Sequence, residues 1–219
     1  MAEPLRRHDL VRVDPAAWAA WRADRPDLGD VPHLEDWANL GLPLIVRRRV
    51  PGETGDAVPL GLPLPPADGK RRIRLALPVS ALSPAPVVTL AEAAIHAPAA
   101  WGAALDALTA LGRRHGLVPR PFGSLLWQAV TGLTYLSATS DLDLLWRCTA
   151  PVPVGLLDGI AAVAETAPMG IDGEILLPDG AGLHWRELRD APEDGSVLAK
   201  SLDRLLLRPV AGLRGPGAA

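Results

Sequence analysis

Apolar and polar residues alternate along Arg72–Leu77, with Ile73, Leu75 and Leu77 on one side and Arg72, Arg74 and Ala76 on the other. Successive side chains of a strand point to opposite faces, so this stretch predicts a half-buried strand with a basic outer face. A second strand is predicted at Leu44–Arg48, and three prolines across Pro78–Val88 predict a linker. Beyond it the period changes. Thr89-Leu90-Ala91-Glu92 has the form of a capping box, in which a hydroxyl and a carboxylate satisfy free N–H groups at a helix start. Pro98 suits the first turn of a further helix. In it Trp101, Leu105, Leu108 and Leu111 recur at helical spacing, and Gly116 suits its stop. Val118–Phe122 predicts a short strand, weakened because Pro119 and Pro121 lack ladder donors. A helix from Ser124 to about Thr134 follows, with Leu126, Val130 and Leu133 on one stripe. Ser140–Trp146 reads as a buried strand. After it come a helix near Leu156–Thr166, a strand at Gly173–Leu177, a turn at Pro178-Asp179-Gly180, a segment holding Trp185, and a last helix from near Val197. The tail Gly212–Ala219 is expected to fray.

These elements predict an α+β protein in two parts, a smaller α+β N-terminal domain over residues 1–86 and a second domain over residues 87–219. The length of 219 residues allows one large domain or two small ones. A net charge of −3 gives no sign of bulk nucleic-acid binding, which needs a basic domain. Cys148 is the single cysteine, so no internal disulfide is possible, a cysteine-based zinc site is disfavoured, and the residue reads as a small buried hydrophobe. Met1–Asp9 is charged and lacks the apolar core of a signal peptide. No apolar run approaches a membrane span. A soluble cytoplasmic protein is expected.

The chemistry concentrates in two places. Asp141 and Asp143 stand two apart in the run Ser140–Trp146, so on a strand both carboxylates face one way, with Leu142 and Leu144 facing the other. Paired carboxylates suit Mg²⁺ held against the phosphates of a substrate, and burying them with no cation is costly. Upstream, Gly123-Ser124 falls where a strand hands over to a helix. There glycine lets a phosphate approach the backbone, the helix N-terminus attracts an anion, and the Ser124 hydroxyl adds a donor. Gly-Ser, a helix, then Asp-x-Asp on a strand is the signature of nucleotidyltransferases, and it predicts a mixed sheet of that kind with flanking helices. Sixteen residues separate Ser124 from Asp141, which calls for an extended turn after the helix. Asp172 and Glu174 both offer a third carboxylate. Glu174 is preferred, because Asp172 before Gly173 can simply make a turn. Lys200 could reach a phosphate. Lys70, Arg72 and Arg74 could meet a polyanionic substrate or an acidic protein. The five histidines are scattered without metal-ligand spacing, and none is assigned a catalytic part.

Several blocks together resemble one family. They are Arg6-Arg7-His8-Asp9-Leu10-Val11, Gly61-Leu62-Pro63-Leu64-Pro65, Gly69-Lys70-Arg71, Gly123-Ser124, Trp127-Gln128-Ala129, Thr131-Gly132-Leu133, Ser140–Trp146, Asp172-Gly173-Glu174 and Trp185-Arg186-Glu187-Leu188. In this order they resemble the malonate decarboxylase holo-acyl-carrier-protein synthases, also called phosphoribosyl-dephospho-CoA transferases, over almost the whole chain. The resemblance implies a nucleotidyltransferase that takes triphosphoribosyl-dephospho-CoA as donor and a serine of the acyl-carrier subunit of malonate decarboxylase as acceptor, releasing pyrophosphate. It implies Mg²⁺ on Asp141 and Asp143, with a second ion in a two-metal version. It also implies Gly123 and Ser124 at the triphosphate, and Glu174 completing the metal cage or accepting the serine proton. Two other readings stay open: a nucleotidyltransferase with another hydroxyl acceptor, and a noncatalytic module that binds a carrier protein.

Overall fold

The structure, a computed structural model, describes residues 5–215; residues 216–219 of the tail expected to fray lie outside the described residues. The chain divides into two compact units, Met1–Val87 with Val130–Thr134, and Val88–Ala129 with Tyr135–Ala219. Both units mix helices and strands, so the fold is α+β.

The first unit is built on strands β1 (Leu10–Val13), β2 (Leu44–Val46), β3 (Val58–Pro63), β4 (Arg72–Leu77) and β5 (Leu82–Pro84), in the order β4-β3-β2-β1-β5, all antiparallel. β4 alternates as its sequence predicts, with Ile73, Leu75 and Leu77 buried and Arg72, Arg74 and Ala76 exposed. Within the segment expected to be a linker, Leu82–Pro84 instead join the sheet. Val13 pairs with Leu82 and Val11 with Pro84, and Pro84 is tolerated because β5 is an edge strand. Helix α1 (Pro15–Ala23) has no counterpart among the predicted elements. Asp14 caps it by accepting from the N–H groups of Ala16 and Ala17, both at 3.0 Å, and Pro15 fills its first turn. Two of the tryptophans anchor this unit: Trp18 donates from its indole to the Leu34 carbonyl at 2.8 Å and Trp37 to that of Pro43 at 3.1 Å.

The second unit opens with α2 (Leu90–Ala93), where Thr89 and Glu92 form the expected capping box, and α3 (Gly102–Arg114). Then come β6 (Arg120–Phe122), α4 (Gly123–Thr131), β7 (Leu142–Arg147), α5 (Val154–Thr166), β8 (Ile171–Leu176), β9 (Gly182–His184), α6 (Trp185–Asp190), β10 (Ser196–Lys200) and β11 (Leu205–Pro209). The sheet runs β11-β10-β9-β8-β7-β6. It is mixed: β7 and β8, joined through α5, are parallel, and every other pair is antiparallel. Alternate residues of the strands, Leu142, Leu144, Trp146, Ile171, Ile175 and Leu183 among them, enter one core with α2, α3, α5 and α6. Cys148 lies in that core, where burial pushes its thiol up to about 11, as a small hydrophobe rather than a reactive group.

The helix expected from Val197 is absent. Its residues form the hairpin β10–β11, paired from Ser196↔Pro209 to Lys200↔Leu205. The burial of Val197 and Ala199 between less buried neighbours has period 2, which no helix provides. No helix among the described residues is long and apolar enough to cross a membrane.

One ion pair fastens the loop after β2. Glu53 accepts from both terminal nitrogens of Arg47 and from the Val50 N–H at 2.9 Å. The Arg47 guanidinium holds the Glu53 carboxyl down at about 2 against an ordinary 4.5, with the Val50 N–H adding to it against the opposing cost of burial. A depressed carboxylate stabilises the fold above its unfolded pKa and loses that contribution as pH falls through its folded one. At 1.36 kcal/mol per pH unit the upper bound is about 3 kcal/mol. Glu53→Gln is therefore expected to lower stability at pH 7 by about 1–3 kcal/mol and to flatten the loss between pH 4.5 and 2, measured by urea unfolding across that range.

Candidate active site

Register assigns the polar residues of the second sheet to one face. Asp143 pairs with Asp172 across the parallel ladder, Leu145 with Glu174, and Glu174 in turn with His184. Directly paired residues share a face, as do residues two apart. Asp141, Asp143, Asp172, Glu174 and His184 therefore stand on the face opposite the helical core. Arg147 and Lys200 share it, through Leu176 and Gly182.

Each aspartate of the Asp-x-Asp sequence is seated against a glycine. Gly123 opens α4 at φ +67, and a β-carbon there would collide with the Asp143 carboxylate. Gly170 does the same for Asp141: a β-carbon would run into its Oδ1, and the Leu142 N–H holds the two segments together by donating to the Gly170 carbonyl at 2.8 Å. Asp141 immediately precedes β7 and is exposed, while Asp143 lies within the strand and is half-buried. The value of Gly123 is thus double. Its left-handed conformation starts the helix, and its missing side chain makes room for a carboxylate rather than for a phosphate alone. Ser124, the second helical residue, has no side-chain hydrogen bond within the protein among the described residues and is half-buried.

The two third-carboxylate candidates differ. Glu174 is buried at 8% exposure. The Asp172 side chain is 53% exposed, and its Oδ1 accepts from the Gly173 N–H at 2.6 Å and meets His184 Nε2 at 2.7 Å. Sequence reasoning passed over His184. The available signal was its place just before the Trp185-Arg186-Glu187-Leu188 block, where it caps α6 by accepting from the Glu187 N–H at 3.3 Å. Lys200 is on the same face but distant. It stands four residues further along and two strands across from Asp172, on the order of 16 Å between backbones. Lys70, Arg72 and Arg74 belong to the first unit, exposed on the β3–β4 hairpin, with Lys70 in a left-handed turn position at φ +53 after Gly69.

Among the described residues no three His, Cys, Asp or Glu side chains gather closely enough to cage a metal ion. Asp141 and Asp143 nevertheless fit Mg²⁺ of the kind bound by one or two carboxylates with substrate phosphates supplying further oxygens. Both are hard oxygen donors on one face, and both have a side-chain-free backbone cradled beside them. Gly123→Ala and Gly170→Ala are each expected to cost about 1–3 kcal/mol by overpacking. Gly123→Ala should cost the more, because it adds about 1 kcal/mol of left-handed strain. Urea unfolding measures both.

Comparison with known proteins covers nearly the whole chain. Residues 6–84 match the phosphoribosyl-dephospho-CoA transferase MdcG N-terminal domain and residues 89–211 the corresponding C-terminal domain. A phosphoribosyl-dephospho-CoA transferase of Bradyrhizobium diazoefficiens is 39% identical over 206 residues, 93% of this chain and 90% of the relative. One of Xanthomonas campestris pv. campestris is 42% identical over 209 residues, 93% of each. One of Xanthomonas euvesicatoria pv. vesicatoria is 40% identical over 212 residues, 94% of this chain and 95% of the relative. No solved structure matches the chain. Two domain matches in order, with relatives near 40% identity from end to end, make this chain a member of the phosphoribosyl-dephospho-CoA transferase family.

Proposed function

We propose that this chain is a nucleotidyltransferase that moves the phosphoribosyl-dephospho-CoA group from triphosphoribosyl-dephospho-CoA to a serine of the acyl-carrier subunit of malonate decarboxylase, with release of pyrophosphate. The observation that carries this reading is the family match across both domains. The face holding Asp141 and Asp143 supplies chemistry that suits it. A single buried thiol suits a reducing compartment, and the proposed location is the cytoplasm.

In the reaction, the serine oxygen attacks the α-phosphorus of the donor. A new P–O bond forms, the bond to pyrophosphate breaks with its electron pair leaving on the pyrophosphate, and the hydroxyl proton passes to a carboxylate of the site. Asp141 and Asp143 would hold Mg²⁺. When bound, Mg²⁺ neutralises the triphosphate and the charge that grows on the leaving group. The Gly123 backbone, the Ser124 hydroxyl and the start of α4 orient the triphosphate through N–H and O–H donors. Two β8 carboxylates compete for the proton, Glu174 as the sequence suggests and its neighbour Asp172. Lys200 would contact the donor away from its reacting end.

An intact-mass assay tests the reading. With donor, Mg²⁺ and the apo carrier subunit, the carrier should gain the mass of the donor minus pyrophosphate. Asp141→Asn and Asp143→Asn should each abolish the gain while the fold is retained by circular dichroism. Full transfer by either variant would sink the metal assignment.

The basic hairpin of the first unit is proposed to dock the polyanionic donor or an acidic face of the carrier. Reversing the charge of Lys70, Arg72 and Arg74 together should weaken binding and flatten its salt dependence. Calorimetry at two ionic strengths reads this directly, and unchanged affinity would exclude the hairpin.

A further inference from the structure

We propose that His184 is a positioning residue that fixes the Asp172 carboxylate beside Asp143, making Asp172 rather than Glu174 the β8 carboxylate that meets the reacting groups. The inference rests on the transferase reading above and refines it. His184 is the Cα partner of Glu174, yet its ring leans diagonally to Asp172. Both imidazole nitrogens have assigned tasks. Nδ1 accepts from the Glu187 N–H at the start of α6, so in the neutral ring Nε2 carries the proton and donates it to Asp172 Oδ1. The same Oδ1 accepts from the Gly173 N–H. Two donors on one oxygen lock the carboxylate rotamer, while Oδ2 accepts no hydrogen bond among the described residues.

The register completes the argument. Asp172 is the direct partner of Asp143 in the parallel ladder, about 4.8 Å away strand to strand. Glu174 pairs instead with Leu145 and is buried. An oxygen directed by a fixed rotamer, exposed, and beside the Asp-x-Asp pair meets a substrate hydroxyl with less rearrangement than a buried one. Hydrogen-bond partners that orient a reacting carboxylate are worth about 10- to 100-fold in activity in comparable metal sites.

Two substitutions separate the two tasks of the ring. Asparagine places its oxygen where Nδ1 stands, keeping the α6 cap and losing the donor to Asp172. Glutamine places its amide nitrogen near Nε2, keeping that donor and losing the cap. In the transfer assay with triphosphoribosyl-dephospho-CoA, Mg²⁺ and apo carrier, His184→Asn should lower kcat at least about tenfold. Its donor KM and melting temperature should be unchanged. His184→Gln should melt lower and keep kcat within a few-fold. Asp172→Asn should match or exceed the loss in His184→Asn, and combining the two should add nothing. Glu174→Gln should cost less than Asp172→Asn. Nitrogen-15 spectroscopy of the full-length protein at pH 8 should find His184 protonated at Nε2. Full activity in His184→Asn, equal losses in the asparagine and glutamine variants, or an Nδ1-protonated ring would overturn the inference. Asp143→Asn serves as the parallel control. If it keeps transfer, the parent reading falls; if it is silent while His184→Asn is fully active, only this inference falls.

Discussion

Six consecutive residue pairs hold β7 parallel to β8, from Leu142↔Ile171 to Arg147↔Leu176, and the rest of the second unit is arranged around that ladder. A parallel pair needs a crossover, and α5 supplies it, which commits the apolar sides of both strands to a helical layer. The same commitment turns Asp143, Asp172 and Glu174 to the opposite face. The approach is close: a β-carbon at Gly173 would meet the Leu144 backbone, so the strand bearing the β8 carboxylates lies against its neighbour with no side chain intervening. A slip of one residue would send those carboxylates into the apolar core, where uncompensated charge costs several kcal/mol.

Local rules recovered much of this arrangement because the deciding forces were local. The capping box at Thr89–Glu92, the stripe Trp101–Leu111 and the alternation of β4 depend on neighbours within a few residues, and each stands where the sequence puts it. Nonlocal pairing defeated the same rules. β5 carries a proline and reads as linker until β1 offers it an edge. Val197-Leu198-Ala199 has helix-compatible residues, but β9 on one side and β11 on the other impose a period of two. Helix α1 has a start signal in Asp14-Pro15 and an alanine-rich body through Ala23, but only nine residues, a length at which an isolated helix is marginal and packing of Trp18 decides.

The candidate site divides the same way. The spacing of Asp141 and Asp143 is a property of three consecutive residues and could be read directly. Which residues flank them is a property of the sheet. His184 lies 12 residues from Asp172, and no spacing rule links the two. Only the antiparallel return of β9 along β8 brings the ring over. Histidine is also an uncommon helix cap, so its place before the Trp185-Arg186-Glu187-Leu188 block pointed to one task at most, and the second follows only from the sheet.

The glycines at 123 and 170 show that the carboxylate pair is as much a matter of backbone as of side chains. Whoever transplants Asp-x-Asp onto another sheet to build a new catalyst must carry the two bare positions with it. Without them the grafted carboxylates would be crowded off their seats, however faithfully the acidic residues themselves were copied.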